Sequence, residues 1–200
     1  MTTVEIAATA ATGVPLGLPH WPAAPEPVDP SAASVLVLAL GGHPRTAEVA
    51  GAWVREAEGR VPTRLVVADD LASGHEDVVA ALDAVRIGVR IMVVGPQHDV
   101  LLALARCRTH GASGAELRAF VVDAEGPTDL PVYCAHCRAT HRLHGEPGGT
   151  AVCPGCARLL EIHPHHSAVR GSFLASDTGT EPDADAEPDT GAEPDQQAAA

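Results

Sequence analysis

The sequence predicts a small α/β sandwich over residues 34–126, a parallel sheet with helices on both faces, followed by a cysteine-rich ribbon over 130–175 and a disordered acidic tail over 176–200. Three observations carry this reading. Short apolar runs alternate with helical-period segments, the pattern of β-α-β crossover units. Four of the five cysteines form two Cys-x-x-Cys pairs late in the chain. Charge is lopsided: eight of the 26 acidic residues and none of the thirteen basic ones follow residue 175, so the rest of the chain carries −5 of the net −13.

The elements follow in order. Residues 1–33 hold Pro15, Pro19, Pro22, Pro25, Pro27 and Pro30 among Ala and Gly, which resists both helix and ladder formation and predicts an extended arm with Trp21 as an anchor. Val35 to Leu40 is a continuous apolar run closed by Gly41 and Gly42, suited to a strand covered on both faces. Val49, Trp53 and Ala57 recur at four-residue intervals between Thr46 and Glu58, a helix stopped by Gly59. Arg64 to Val67 reads as the second strand. Ser73 and Glu76 match a reciprocal cap for a helix with Val78, Val79, Leu82 and Val85 on one face. Ile91 to Val94 is the third strand, broken by Gly95 and Pro96. A helix from His98 to Thr109 turns Val100, Leu101, Leu104 and Cys107 inward, with Gly111 and Gly114 ending it, and Leu117 to Val122 is the fourth strand. Cys107 falls on the buried face of its helix and is expected to pack rather than react.

Composition excludes several functions. The 200 residues, 46% of them apolar, allow one ordinary domain or two small ones, and a core with only two Phe, two Trp and one Tyr is mostly aliphatic. All thirteen basic residues are arginine, so Walker-type phosphate loops and Schiff-base lysines are impossible. A net charge of −13 with few aromatics disfavours nucleic acid as a partner and a ribbon adaptor in transcription or RNA processing. No run reaches the roughly 20 apolar residues of a membrane span, and the N-terminus lacks the pattern of a secretion signal. The expectation is a cytoplasmic protein whose cysteines are thiols or metal ligands. The tail repeats Glu-Pro-Asp at 181, 187 and 193; its composition cannot offset the entropy of ordering, and it serves solubility or lures a basic partner.

Cys134 and Cys137 are separated from Cys153 and Cys156 by fifteen residues. Tight turns let both sulfurs of each pair face one point, and two such turns complete a tetrahedron with bonds of about 2.3 Å. The spacing matches a zinc ribbon. Val132–Tyr133, Thr150–Val152 and Leu159–Ile162 are β-prone, with Gly145, Pro147, Gly148 and Gly149 in the excursion, which predicts two hairpins clasping metal. So small a segment draws much of its folding energy from the ion, on the order of 10 kcal/mol in comparable zinc peptides. Four thiolates leave no open position for an activated water, so the metal is structural, with Arg138, Arg142 and Arg158 expected to soften its net −2 charge. One-iron rubredoxin-like binding and a dithiol redox pair stay open as alternatives. His136, His141, His144, His163, His165 and His166 crowd the region, the last three directly after the last ribbon strand. Any one could replace a cysteine or bind a second ion, but four thiols already suffice, so they are expected as surface or supporting groups.

The stretch from Tyr133 to Cys137, the Cys-Pro-Gly-Cys at 153–156, His166–Ser167 and the run Gly171, Ser172, Phe173, Leu174 together resemble the C-terminal zinc-ribbon domain of the small subunit of bacterial dimethylamine monooxygenases. Two positions depart from that pattern: Ala157 follows Cys156 where glycine is expected, and Ala168, Val169 and Arg170 stand where a basic pair is expected. The resemblance implies an accessory chain, without an active site of its own, in a multicomponent enzyme that uses NADPH and O2 to oxidise dimethylamine to methylamine and formaldehyde. Its partners would be a haem-containing oxygenase subunit and a flavin and iron–sulfur reductase subunit, which carry those cofactors. This chain lacks a Cys-x-x-Cys-His haem site and a Gly-x-Gly-x-x-Gly loop. The α/β part is similar to a degenerate nucleotide-binding unit of ferredoxin reductases, with Gly41, Gly42, Gly95, Pro96 and Gln97 as nucleotide-site candidates. The 33 residues ahead of it are too few for the flavin-binding barrel of those reductases. A rubredoxin-like electron carrier and a generic zinc-ribbon adaptor are the competing functions.

Overall fold

The computed structural model describes residues 17–179; the first part of the proline-rich arm and nearly all of the expected acidic tail lie outside the described residues. The fold is mixed α/β, with a parallel four-stranded sheet, a second five-stranded sheet and three α-helices among the described residues.

The first sheet contains β1 (Ser34–Leu40), β2 (Thr63–Ala68), β3 (Val89–Gly95) and β4 (Leu117–Val121), in the order β2-β1-β3-β4, all parallel. β1 and β3 are central, and their apolar runs are buried on both faces. On one face α1 (Pro44–Ala57) lays Val49, Ala50, Trp53 and Ala57 against Val35, Val37, Ala39, Met92 and Val94. On the other, α2 (His75–Ala84) and α3 (Gln97–Thr109) pack Val78, Leu82, Val100, Leu104 and Cys107 against Leu36, Leu38, Leu40, Ile91 and Val93. Each fully buried aliphatic side chain contributes about 1.5–3 kcal/mol of transfer free energy, and this double layer is the main source of stability. The inward position expected for Cys107 is the one observed, and burial pushes its thiol up to about 11.

Helix entry follows local chemistry at α1, where Pro44 fills the first turn and His43 Nδ1 accepts from the Arg45 N–H at 3.1 Å. The start of α2 corrects the sequence reading. Ser73 is not the cap: its N–H donates to Asp70 at 2.7 Å, and the helix opens at Gly74, where a β-carbon would lie 2.4 Å from that of Ala68. Glycine is there because the loop touches the sheet.

The described part of the arm is pinned rather than free. Trp53 Nε1 donates to the Glu26 carbonyl at 2.8 Å, Val28 N–H donates to Glu56 at 3.1 Å, and Asp29 pairs with Arg90 at 2.8 Å. Trp21 packs against both the helix-side core and the core of the second sheet, the anchoring role that its isolation in the sequence suggested.

The second sheet runs β6-β5-β9-β8-β7. β5 (Thr128–Cys134) and β6 (Ala139–Gly145) form one hairpin, and β7 (Thr150–Val152) and β8 (Leu159–Ser167) the other. Between them lies β9 (Ser172–Asp177), parallel to β5 and antiparallel to β8. This strand corrects the two-hairpin reading, and Ser176 and Asp177, expected to open the acidic tail, are its last residues. His163, His165 and His166 are likewise not beyond the last strand; they lie in the second half of β8, His163 and His165 within a register irregularity between Ile162 and His166. Asp123 joins the two sheets, accepting from the Gln97 N–H at the head of α3 and from the Thr128 hydroxyl at the head of β5, both at 2.7 Å.

Candidate metal centre

The two cysteine pairs occupy matching turns at the end of each hairpin. After Cys137 and Cys156 the chain must reverse, and it does so through Arg138 and Ala157, whose φ angles of 58° and 55° are left-handed. Their N–H groups close the turns onto the carbonyls of Cys134 at 2.9 Å and Cys153 at 2.8 Å. Glycine is the residue expected after the second knuckle because this conformation suits it, and here alanine bears the strain.

These turns bring all four sulfurs within 4.8 Å of one another. The Cys134–Cys156 and Cys137–Cys153 separations are both 3.8 Å. A tetrahedron with zinc–sulfur bonds of about 2.3 Å has edges of about 3.8 Å, so the cluster has the dimensions of a four-thiolate site and could hold zinc or iron. Cys134 and Cys153 are fully buried, Cys137 and Cys156 partly exposed. Burial works to raise the Cys134 thiol, but N–H groups of Cys137 and His136 and the adjoining thiols outweigh it and bring the group down to about 7. Burial raises Cys153. At Cys156 the Arg158 N–H favours the thiolate, yet burial and neighbouring thiols leave it raised.

Among the described residues no histidine joins the four-sulfur group. His141 comes nearest, with Nε2 3.2 Å from Cys137 Sγ; a proton on that nitrogen donates to the sulfur. Its ring lies over Gly155, where a β-carbon would stand 2.8 Å from it. His144 faces Asp129, His163 bonds the Ser176 hydroxyl at 2.8 Å, and His166 stacks edge-on against Phe173 at 5.3 Å. Two of the arginines expected to soften the thiolate charge are engaged elsewhere: Arg158 with Asp177, and Arg142 with Asp99 at 3.0 Å.

The residues singled out as Gly-Ser-Phe-Leu form the joint between the sheets. Gly171 (φ +70°) lies against α3, Ser172 and Phe173 are fully buried, and Phe173 fills the ribbon core with Leu101 of α3. Sequence reasoning found the motif but had no signal for this contact.

The nucleotide-site candidates gather where β1 and β3 end. A β-carbon on Gly41 would meet Pro96 at 2.8 Å, and one on Gly95 the Leu40 carbonyl at 2.5 Å. The two loops thus need glycine to touch each other. The Gln97 N–H at the head of α3 is already bonded to the Asp123 carboxylate, a negative group where a phosphate would otherwise sit. Gly42 has open space beside it.

The class defined by this fold and site is a four-cysteine ribbon, able to hold a metal ion, docked on a parallel α/β layer. Residues 131–175, from within β5 to within β9, match the family model described as dimethylamine monooxygenase subunit DmmA-like, C-terminal domain. No curated protein matches the chain. Among solved structures, phthalate dioxygenase reductase, described as a modular structure for electron transfer from pyridine nucleotides to 2Fe-2S, shares 17% identity at a TM-score of 0.36, over 58% of this chain and 46% of that one. The likeness therefore spans less than half of that chain's length. No described helix is long and apolar enough to cross a membrane.

Proposed function

We propose that the chain is a non-catalytic subunit of a multicomponent haem and flavin amine monooxygenase, an NADPH- and O2-dependent enzyme that demethylates dimethylamine. It docks the haem-bearing oxygenase subunit and the flavin and iron–sulfur reductase subunit in the cytoplasm. The observation that carries this reading is the coincidence of the family match over 131–175 with a complete four-sulfur cluster. Cys134, Cys137, Cys153 and Cys156 hold zinc, which closes the ribbon. With all four positions taken by sulfur, the ion supplies rigidity and no activated water. The sheet, helices and ribbon act together as one docking body, because Phe173 and Leu101 share a core.

Affinity purification of the tagged chain from its own cells tests this. Haem and flavin proteins that co-purify, and that lose turnover with dimethylamine when the chain is removed, support it. Full turnover by those proteins without the chain contradicts it.

A second reading rests on the four-sulfur set, which suits iron as it suits zinc, and on the N–H groups directed at Cys134, Cys153 and Cys156. Such bonds stabilise a redox-active iron–thiolate centre as well as zinc. An iron-loaded, red protein with a reversible one-electron couple would replace the structural zinc by an electron carrier.

A further inference from the structure

A cleft of about 710 Å³ is walled by the β2–α2 loop, α3, β6 and the turn between β8 and β9. None of the four ribbon cysteines lines it, and its size falls within the range of small-molecule sites, roughly 300–1,000 Å³. Three of the thirteen arginines, Arg106, Arg142 and Arg170, line it, although the protein as a whole carries −13.

The negative groups in the cleft are already satisfied. The Asp99 side chain is only 3% exposed; its Oδ1 accepts from the Leu71 N–H at 3.0 Å and its Oδ2 from Arg142 at 3.0 Å. Arg142 also donates to His98 Nδ1 at 3.0 Å, so a buried carboxylate and a half-buried imidazole hold its guanidinium in place. Asp70 is turned to its own loop, accepting from the Ser73 N–H at 2.7 Å. Arg106, half-buried, and Arg170 have no ion-pair partner among the described residues. The Arg170 guanidinium lies over the Tyr133 ring, 4.4 Å from its centroid. Leu102 and Val169 supply an apolar wall.

We infer that this cleft binds a small molecule with one oxyanion, carboxylate or phosphate, attached to a compact apolar body. Guanidinium forks recognise both oxyanions through paired, charge-assisted hydrogen bonds. Arg106 and Arg170 supply the open forks, Arg142 is pre-set by Asp99, and the apolar wall receives the body of the ligand. This inference is independent of the metal and of the monooxygenase reading.

The test is calorimetric titration of the full-length, metal-loaded chain with benzoate and, separately, phenyl phosphate. Saturable binding of either probe is expected, and the preferred probe identifies the oxyanion. Arg106→Gln and Arg170→Gln should each weaken it at least tenfold, while Arg86→Gln, which changes an arginine outside the cleft, leaves it unchanged. Amide spectra of the variants report that the fold is kept. Absence of saturable binding of both probes at millimolar concentration, or equal affinity in the Arg106→Gln/Arg170→Gln double variant, overturns the inference.

Discussion

Gly171 packs against Leu101 so closely that a β-carbon would stand 2.7 Å from the Leu101 carbonyl oxygen. The same carbon would come 2.8 Å from the Ala105 side chain, and the backbone there is left-handed at φ +70°. The ribbon is thus seated on α3 by a glycine that no larger residue can replace without moving one of them. Gly171→Ala combines left-handed strain with overpacking, together roughly 2–4 kcal/mol. Denaturant unfolding should show this loss, and hydrogen exchange should show faster opening of β9 than of β1. An unchanged midpoint would mean the joint is loose.

At the second knuckle the opposite substitution should help. Ala157 holds φ 55°, at a strain of about 1–2 kcal/mol that glycine avoids, less about 0.5–1 kcal/mol of unfolded-state entropy. Ala157→Gly is therefore expected to raise stability by about 0.5–1 kcal/mol, read as an upward shift of the thermal midpoint in the metal-loaded protein.

Removal of the His141 side chain takes away the group 3.2 Å from Cys137 Sγ. Loss of such outer-shell partners costs about 10–100-fold in metal affinity. Competition with a chromogenic chelator should place His141→Ala in that range, whereas His144→Ala, altering a residue that faces Asp129, keeps the native affinity.

Acid stability should reveal how the arm is held. Hydrogen bonds from the Ser31 side chain and backbone, aided by Arg90, lower the Asp29 carboxyl from 3.8 to about 2. A depressed carboxyl contributes stability that is complete above its unfolded value and is lost as pH falls through its folded one. The stability gap between the native chain and Asp29→Asn should therefore be full above pH 3.8 and close as pH falls through 2. A gap independent of pH would place the effect of the substitution elsewhere.

Much of the parallel layer was legible because its signals are local. The unbroken Val35–Leu40 run closed by two glycines suited a strand covered on both faces, and the Val49, Trp53, Ala57 stripe marked the inward side of α1. The paired cysteines announced the cluster by spacing alone. β9 escaped because Ser172–Asp177 has neither alternation nor β-branched residues; it is a strand only because the two hairpins leave a slot whose edges it pairs. The start of α2 was misread for a similar reason, since the contact of Gly74 with Ala68 is tertiary while the Ser73 and Glu76 pattern is local. The cleft was invisible because Asp99 and Arg142 lie 43 residues apart and meet only when the ribbon seats on α3.

Metal and thiol counting on the freshly purified full-length chain addresses the four-sulfur cluster most directly. One zinc or iron per chain is expected, with Cys134, Cys137, Cys153 and Cys156 silent to a thiol reagent until a chelator strips the ion; Cys107, buried and raised to about 11, stays silent afterwards. A metal-free native protein whose four ribbon thiols react at once would show that no ion holds these strands together.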